Sequence, residues 1–123
     1  MCSISFSSCC ESVRQSAPVV HCITNMVAAP FNANALLAIG AHPLMSACVE
    51  EVDDISALSQ SLYVNIGCVD DRQFAAMRSA VSVAARVAKP WVLDPVGVGA
   101  SAYRLKVCMS LIGACPPSVI RGN

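Results

Sequence analysis

The chain has 123 residues, of which 55% are hydrophobic and 13% are charged, and its eight basic side chains balance its eight acidic ones. A chain this apolar is neither disordered nor collagen-like, and its net charge of zero gives no support to binding of a nucleic-acid backbone. We therefore expect a folded unit that binds no nucleic acid.

Residues 1–17 are expected to form an N-terminal helix or a mobile segment ahead of one domain at 18–123. They have neither the basic start nor the continuous apolar run of a secretory signal. Residues 15–49 carry no charged side chain, but they include two histidines, three asparagines and three prolines. A membrane-spanning helix rarely carries such a polar load, so we expect no membrane partner.

Five short apolar runs, several of them rich in β-branched residues, indicate strands that are buried on both faces. In chain order they cover 18–23, 41–45, 62–67, 91–94 and 118–120. Helical periodicity lies between these runs, and such alternation is typical of a parallel sheet with helices packed on its faces. The predicted fold class is therefore α/β with a mostly parallel sheet.

The clearest helical pattern covers 70–88. Asp70 followed by Gln73 resembles a capping box, which is a common start of a helix. The apolar positions that share one face of this helix are Phe74, Met77, Val81, Ala84 and Ala88. A shorter helix is indicated by the spacing of Val52, Ile55, Leu58 and Leu62.

Two further helices are predicted at 25–39 and 102–112, and a weaker pattern covers 1–15. Pro30 falls inside the predicted helix at 25–39, where proline disrupts a helix unless the helix kinks or begins there. The sequence therefore predicts either a kink or a helix start near Pro30.

The eight cysteines are spread along the chain, and no two of them form a CxxC pair. A four-thiolate zinc site is therefore not expected. Most of the cysteines lie among aliphatic residues, where a free thiol behaves as a small hydrophobe. We interpret them as free thiols in a reducing, cytoplasmic compartment.

Ligands of open parallel sheets bind at the carboxyl ends of the strands, which meet at one edge. The segments that follow the predicted strands are Thr24–Asn25, Met45–Ser46, Gly67–Cys68, Asp94–Ser101 and Arg121–Asn123. Most of these ends carry polar or glycine residues rather than further core residues. This convergence indicates a ligand site at that edge.

The segment Asp94–Ser101 is the most informative of these ends. A carboxylate at a strand end can hold a divalent cation, and Gly97 and Gly99 let the backbone turn tightly. A helix beginning near Ser101 can aim free N–H groups at an anion. Together these features suit a metal-bound phosphate, and the alternative is a glycine loop in which Asp94 is a cap.

The other candidates each have a plainer alternative. Asn25 can simply cap the helix that follows it, and Met45 can fill the core. Arg121 can be a solvated surface charge rather than a partner of a phosphate. His21, inside an apolar strand, is interpreted as a hydrogen-bonded structural residue rather than as a base.

Read together, these segments resemble the hydroxyethylthiazole kinase family. The resemblance is carried by Val20–Asn25, Asn34–Ala41, Pro43–Met45, Glu50–Val52, Val64–Gly67, Leu93–Ala100 and Val119–Asn123. The order and spacing match from about Pro18 to the end of the chain. Because chains of that family are much longer, the resemblance covers their N-terminal half.

The resemblance implies a ribokinase-like, three-layer αβα fold, present here as its N-terminal half. It implies transfer of the ATP γ-phosphoryl group to the hydroxyl of 4-methyl-5-(2-hydroxyethyl)thiazole in thiamine biosynthesis, with Mg²⁺ as cofactor and a homotrimer with sites between subunits. By position, the residues near the thiazole would be Asn25, Met45 and Gly67. Asp94 would serve the magnesium, and Arg121 and Asn123 would face the ATP phosphates.

The same resemblance places the family's catalytic cysteine beyond residue 123, so no catalytic residue is assigned within this sequence. A thiazole kinase is the first functional hypothesis, and a truncated, non-catalytic remnant that keeps part of the thiazole pocket is the alternative. Another ribokinase-like kinase is disfavoured by the Ile-Thr-Asn and Pro-Leu-Met elements. For the isolated chain we expect an exposed sheet edge and weak stability.

Overall fold

The computed structural model of the protein describes residues 5–122. Five parallel strands form one sheet in the order β2-β1-β3-β4-β5. They are β1 Val19–Ile23, β2 His42–Met45, β3 Ser61–Asn65, β4 Trp91–Asp94 and β5 Val119–Ile120. Each predicted apolar run overlaps one of these strands, so the α/β class and the parallel sheet are confirmed.

Five α-helices accompany the strands within the described part of the chain. They are α1 Phe6–Ser16, α2 Ala29–Ile39, α3 Val52–Leu58, α4 Asp71–Arg86 and α5 Ala102–Ala114, and a 3-10 turn covers Val98–Ala100. The first four residues of the predicted N-terminal pattern lie outside the described residues. The remaining helices correspond to the four patterns read from the sequence.

Local chemistry explains where three of these helices begin. The Asp70 side chain accepts a hydrogen bond from the backbone N–H of Gln73 at 2.7 Å and caps α4, as predicted. Ser101 caps α5 through the N–H of Arg104 in the same way. Pro30 lies in the first turn of α2, where its missing N–H breaks no helical hydrogen bond.

Three helix boundaries were predicted wrongly. Leu62 lies in β3, opposite Trp91, because α3 already ends at Leu58. Ala88 is exposed and follows α4 in a left-handed conformation with φ of 51°, so it is not part of the apolar face. Residues 25–28 form a turn ahead of α2, because Oδ1 of Asn25 accepts the backbone N–H of Ala28 at 2.8 Å.

The two faces of the sheet are covered differently. Alternate strand residues face α3, α4 and α5 and form the core, and they include Ile23, Leu62, Val64, Trp91 and Leu93. The opposite face carries Val20, Tyr63 and Val92, and α2 packs there against the β2 side of the sheet. Helices on both faces of the sheet give the predicted three-layer αβα arrangement.

The prediction that all strands are buried on both faces is wrong for the two edge strands. Both residues of β5 are more than half exposed, and both ends of β2 are exposed. Edge strands have one neighbour instead of two, so less of their surface is covered. The fully buried strand residues lie in the central strands β1, β3 and β4. The candidate site lies at the carboxyl ends of these three strands.

The described cysteines form no disulfide with one another, as the free-thiol interpretation predicts. All seven cysteines between residues 5 and 122 are free, and Cys2 lies outside that range. Burial raises the pKa of the Cys22 thiol to about 11. Within the same range, no helix combines the length and the apolar character needed to cross a membrane.

Candidate functional site

Three polar side chains lie close together at the carboxyl ends of the central strands. Asn25 follows β1, Asn65 ends β3 and Asp94 ends β4, where it is the register partner of Asn65. The three residues are only 7%, 4% and 4% exposed. Buried polar groups need hydrogen-bond partners, and Asn65 bonds to both of the other two side chains.

The Asn25 side chain is held in one orientation by the backbone. Its Oδ1 accepts the N–H of Ala28 at 2.8 Å, so its Nδ2 faces Oδ1 of Asn65 at 3.3 Å. The expected helix cap is not observed, because α2 begins at Ala29 with Ala28 as its N-cap residue and without a side-chain cap hydrogen bond. The oxygen stabilises the turn before α2, and the nitrogen reaches the strand ends.

Gly67 belongs to the same contact network through its backbone. Its N–H donates to Oδ1 of Asn65 at 2.8 Å. A Cβ atom at this position would lie 2.6 Å from Nδ2 of Asn25 and 2.9 Å from Oδ1 of Asn65. Glycine is required here because the neighbouring amides leave no space for a side chain.

Asp94 is held through one of its two carboxylate oxygens. Its Oδ2 accepts hydrogen bonds from the Tyr63 hydroxyl at 3.0 Å, from Nδ2 of Asn65 at 3.3 Å and from Nη1 of Arg121 at 3.1 Å. Among the described residues, no hydrogen bond reaches Oδ1. Burial first, and then the neighbouring carboxylate, raise the pKa of Tyr63, so its hydroxyl remains a donor at neutral pH.

A cavity of about 730 Å³ opens beside this network, between α2 and the less covered face of the sheet. Phe31 and Leu36 of α2 line one side, and Val20, Tyr63 and Val92 line the other. The polar groups that also line it include those of Asn25, Asp94 and Arg121. An apolar cavity with a few convergent polar groups is typical of a small-molecule site.

The loop after β4 borders a second cavity of about 310 Å³, lined by residues 94–99 together with Arg121 and Gly122. Gly97 has φ of +64°, and the guanidinium of Arg104 lies against it and donates to the carbonyl of Val96 at 2.8 Å. Gly99 has neither a positive φ nor a close neighbour. Both glycines lie in the expected tight turn, but only the backbone conformation of Gly97 requires a glycine.

The predicted helix start after this loop is confirmed, since α5 begins at Ala102 with Ser101 as its cap. The alternative in which Asp94 caps this helix is not observed. The carboxylate of Asp94 instead bonds to side chains from β3 and from the segment after β5. Asp94 is thus available to the strand-end site rather than committed to a helix.

The other predicted residues lie around this edge in different settings. Arg121 follows β5 and contacts Asp94, so it is not simply a solvated surface charge. Met45 ends the edge strand β2 opposite Cys22, is partly exposed and is not among the residues that line the large cavity. Asn123 lies outside the described residues.

His21 has the structural role that its position predicts. Its Nδ1 lies 2.9 Å from the Ser56 hydroxyl and its Nε2 lies 2.9 Å from the carbonyl of Ser46, the residue after Met45. Burial is the largest cause of its lowered pKa, and it outweighs the backbone hydrogen bond to Ser46. Neutral His21 therefore anchors the chain where it leaves β2.

Tyr63 and Asn65 are members of the site that the residue-by-residue interpretation did not single out. Both lie in a run that was interpreted as a buried strand. The available signal was polarity, because a buried asparagine or tyrosine must find a hydrogen-bond partner. Strand alternation also places them on the same face, two residues apart.

The carboxylate of Asp94 is suited to a hard divalent cation. No cluster of three or more histidine, cysteine or acidic side chains occurs within residues 5–122. A cation at Asp94 would therefore take most of its ligands from phosphate oxygens and water, which is how Mg²⁺ is usually bound in phosphoryl-transfer enzymes. The three donors on Oδ2 hold the carboxylate in one orientation.

Comparison with known proteins gives a consistent result. Residues 10–123 match the model of the hydroxyethylthiazole kinase family. A hydroxyethylthiazole kinase from Histophilus somni is 51% identical over 111 residues, which are 90% of this chain and 42% of that protein. One from Zea mays is 43% identical over 113 residues, which are 92% of this chain and 39% of that protein.

A solved structure of hydroxyethylthiazole kinase protein from Pyrococcus horikoshii matches with a TM-score of 0.89 and 38% identity. The match covers 93% of this chain and 44% of that one. The chain thus spans less than half the length of the relatives that it matches, and nearly all of its own length is matched.

Proposed function

The chain belongs to the hydroxyethylthiazole kinase family, and we propose that it serves the transfer of the ATP γ-phosphoryl group to the hydroxyl of 4-methyl-5-(2-hydroxyethyl)thiazole. The observation that carries the proposal is the continuous network from Asn25 and Gly67, through Asn65, to Asp94. Through Asn65 it links two residues proposed for the alcohol to the residue proposed for the metal ion.

Phosphoryl transfer asks a protein mainly for positioning and for stabilisation of negative charge. The Arg121 guanidinium can stabilise charge on the ATP phosphates, and it already lies 3.1 Å from Oδ2 of Asp94. We assign Asn123 to the same phosphates on the family resemblance. The turn at Gly97 and the cavity beside it provide space for a phosphate group close to Arg121.

Asp94 is the residue that we assign to Mg²⁺. Carboxylate oxygens are suitable ligands for this hard cation. The buried carboxylate of Asp94 is already oriented by Tyr63, Asn65 and Arg121. When bound, the cation would offset the charge of the β- and γ-phosphates. The role of the protein is then to hold the Asp94 carboxylate in one orientation at the edge of the sheet.

The alcohol is assigned to Asn25, Gly67 and Met45. The first two lie within the buried network and the third lies at the same edge, next to the Ser46 carbonyl that His21 holds. The apolar lining of the adjacent cavity suits an uncharged heterocycle. A backbone amide at the end of β2 would help to position the ligand for in-line attack.

We also propose a cytoplasmic homotrimer with sites between subunits. Free thiols in the described part of the chain support a reducing compartment. The side chains of Met26, Val27 and Phe31 are exposed beside Asn25, and exposed apolar groups of this kind favour a protein contact next to the site.

The test is an assay of the purified protein with Mg²⁺, ATP and the thiazole alcohol, with the phosphate ester detected by mass spectrometry. The matched control is Asp94→Asn, which keeps the size of the side chain and removes its charge. Ester formation that this change abolishes supports the proposal. Binding of the alcohol without ester formation would instead favour the non-catalytic remnant, and absence of both would refute the proposal.

A further inference from the structure

Asn65 lies between the two halves of the proposed site. At one end of its amide, Oδ1 accepts the Gly67 N–H at 2.8 Å and Nδ2 of Asn25 at 3.3 Å. At the other end, Nδ2 donates to Oδ2 of Asp94 at 3.3 Å and to the Tyr63 hydroxyl at 3.2 Å. A single planar group therefore contacts both the residues assigned to the alcohol and the residue assigned to the metal.

The orientation of this amide is fixed by its partners. A backbone N–H can only donate, so the atom of Asn65 that faces Gly67 must be the oxygen. The nitrogen must then face the carboxylate of Asp94. The Asn25 amide is fixed in the same manner by the Ala28 N–H, so the two side chains meet as donor and acceptor.

We propose that Asn65 is a positioning residue that couples binding of the alcohol to binding of the metal-bound nucleotide. The inference rests on the proposed function. Because the amide is planar and nearly buried, a rotation that improves one end weakens the other. A ligand that orders Asn25 and Gly67 also fixes Nδ2 of Asn65, and thereby the carboxylate of Asp94. Such coupling is reciprocal, so the nucleotide must favour the alcohol equally.

The experiment is calorimetric titration of the protein with 4-methyl-5-(2-hydroxyethyl)thiazole, with and without Mg²⁺ and a non-hydrolysable ATP analogue. The ratio of the two Kd values is the coupling factor, which we expect to be about fivefold or more. In Asn65→Asp the oxygen that faces Gly67 and Asn25 is kept, but the donor that faces Asp94 becomes a second acceptor. We expect its coupling factor to fall to about one.

Arg121→Gln is the matched control. It removes a different donor from the same Oδ2 of Asp94, and among the described residues Arg121 has no hydrogen bond to Asn65, Asn25 or Gly67. We expect weaker binding of the nucleotide but an unchanged coupling factor. A merely structural Asn65 would lower Tm and both affinities in Asn65→Asp and leave the ratio as in the unmodified protein, and that result would overturn the inference.

Hydrogen exchange in the unmodified protein provides a measurement that does not depend on the folding of a variant. Mg²⁺ and the nucleotide analogue, added without the alcohol, are expected to slow exchange at the Gly67 amide, which bonds to Asn65 and not to Asp94. Unchanged exchange there contradicts the coupling. If the unmodified protein binds the alcohol with a coupling factor of one, only this inference is overturned. If it does not bind the alcohol at all, the proposed function is overturned as well.

Discussion

The guanidinium of Arg121 donates to a carboxylate oxygen of Asp94 at 3.1 Å, although the arginine side chain is 64% exposed and the aspartate side chain is 5% exposed. Water screens a pair of this kind on one side, so its contribution to stability is small, at about 0–1 kcal/mol. The exposed arginine can approach a second anion without leaving the aspartate. We therefore expect Arg121 to matter more for ligand binding than for folding.

Replacement of Arg121 tests this relationship. Arg121→Gln should raise the Kd for Mg²⁺-ATP by about tenfold or more, because a charge-assisted hydrogen bond contributes about 1.5–3 kcal/mol. The Tm should change little. Arg86→Gln, at the exposed end of α4, is the matched control and should leave nucleotide affinity unchanged. Equal effects of the two changes in a fluorescence titration would contradict the assignment of Arg121.

A methyl group at Gly67 should disrupt the Asn25–Asn65 contact. Gly67→Ala puts a carbon 2.6 Å from Nδ2 of Asn25, so the amides must separate. We expect a loss of about 1–3 kcal/mol in the free energy of unfolding and weaker binding of the thiazole alcohol. Gly113→Ala in α5 has open space around it and should be neutral or slightly stabilising. Urea unfolding curves that show equal stability for both variants would count against the tight approach described at Gly67.

The buried His21 should make stability depend on pH. Its pKa is lowered in the folded protein, chiefly by burial, so the unfolded chain binds a proton more readily than the folded one. The stabilising contribution of neutral His21 is complete above its ordinary pKa of about 6.5 and is lost as the pH falls below it. Unfolding followed by circular dichroism between pH 8 and pH 5 measures this loss.

His21→Gln is the control for the pH experiment. Glutamine does not titrate, and it can still donate to the Ser46 carbonyl and accept from the Ser56 hydroxyl. The stability of the His21→Gln variant should therefore fall less than that of the unmodified protein between pH 8 and pH 5. Parallel pH curves for the two proteins would show that other groups cause the dependence.

Thiol labelling should separate the cysteines by burial. Cys9, Cys48 and Cys68 are exposed and should react rapidly with an aromatic disulfide reagent at pH 8, whereas Cys22 and Cys108 should react only when the protein opens. Burial raises the pKa of both buried thiols, which lowers the fraction of reactive thiolate. Cys22→Ser should remove one slow equivalent and no fast one. Rapid reaction of Cys22 in the folded protein would contradict its burial in β1.

Local features of the sequence were sufficient to predict most elements of the fold. Asp70 and Gln73 mark the start of α4 because they are adjacent in space as well as near in sequence. The same spacing rule was misleading at Leu62, which continues the apolar period of α3 but belongs to β3. Periodicity alone carries no information on where the backbone leaves the helix, and here it does so directly after Leu58.

The candidate site was predictable only in part. Asn25, Asp94 and Arg121 could be selected because each lies at or just after the end of a strand, and the ends of parallel strands meet. The roles of Tyr63 and Asn65 depend on the register between β3 and β4, which pairs Asn65 with Asp94. Register depends on the packing of the whole sheet, so hydrogen bonds across that pair could not be read from either segment alone.

The alternation of side chains along β3 divides its residues between two tasks. Leu62 and Val64 contribute to the core, whereas Tyr63 and Asn65 form contacts with Asp94. A protein engineer could therefore vary the even positions of this strand for heat tolerance and the odd positions for ligand preference. Two separate mutant libraries on one five-residue segment would address two nearly independent traits.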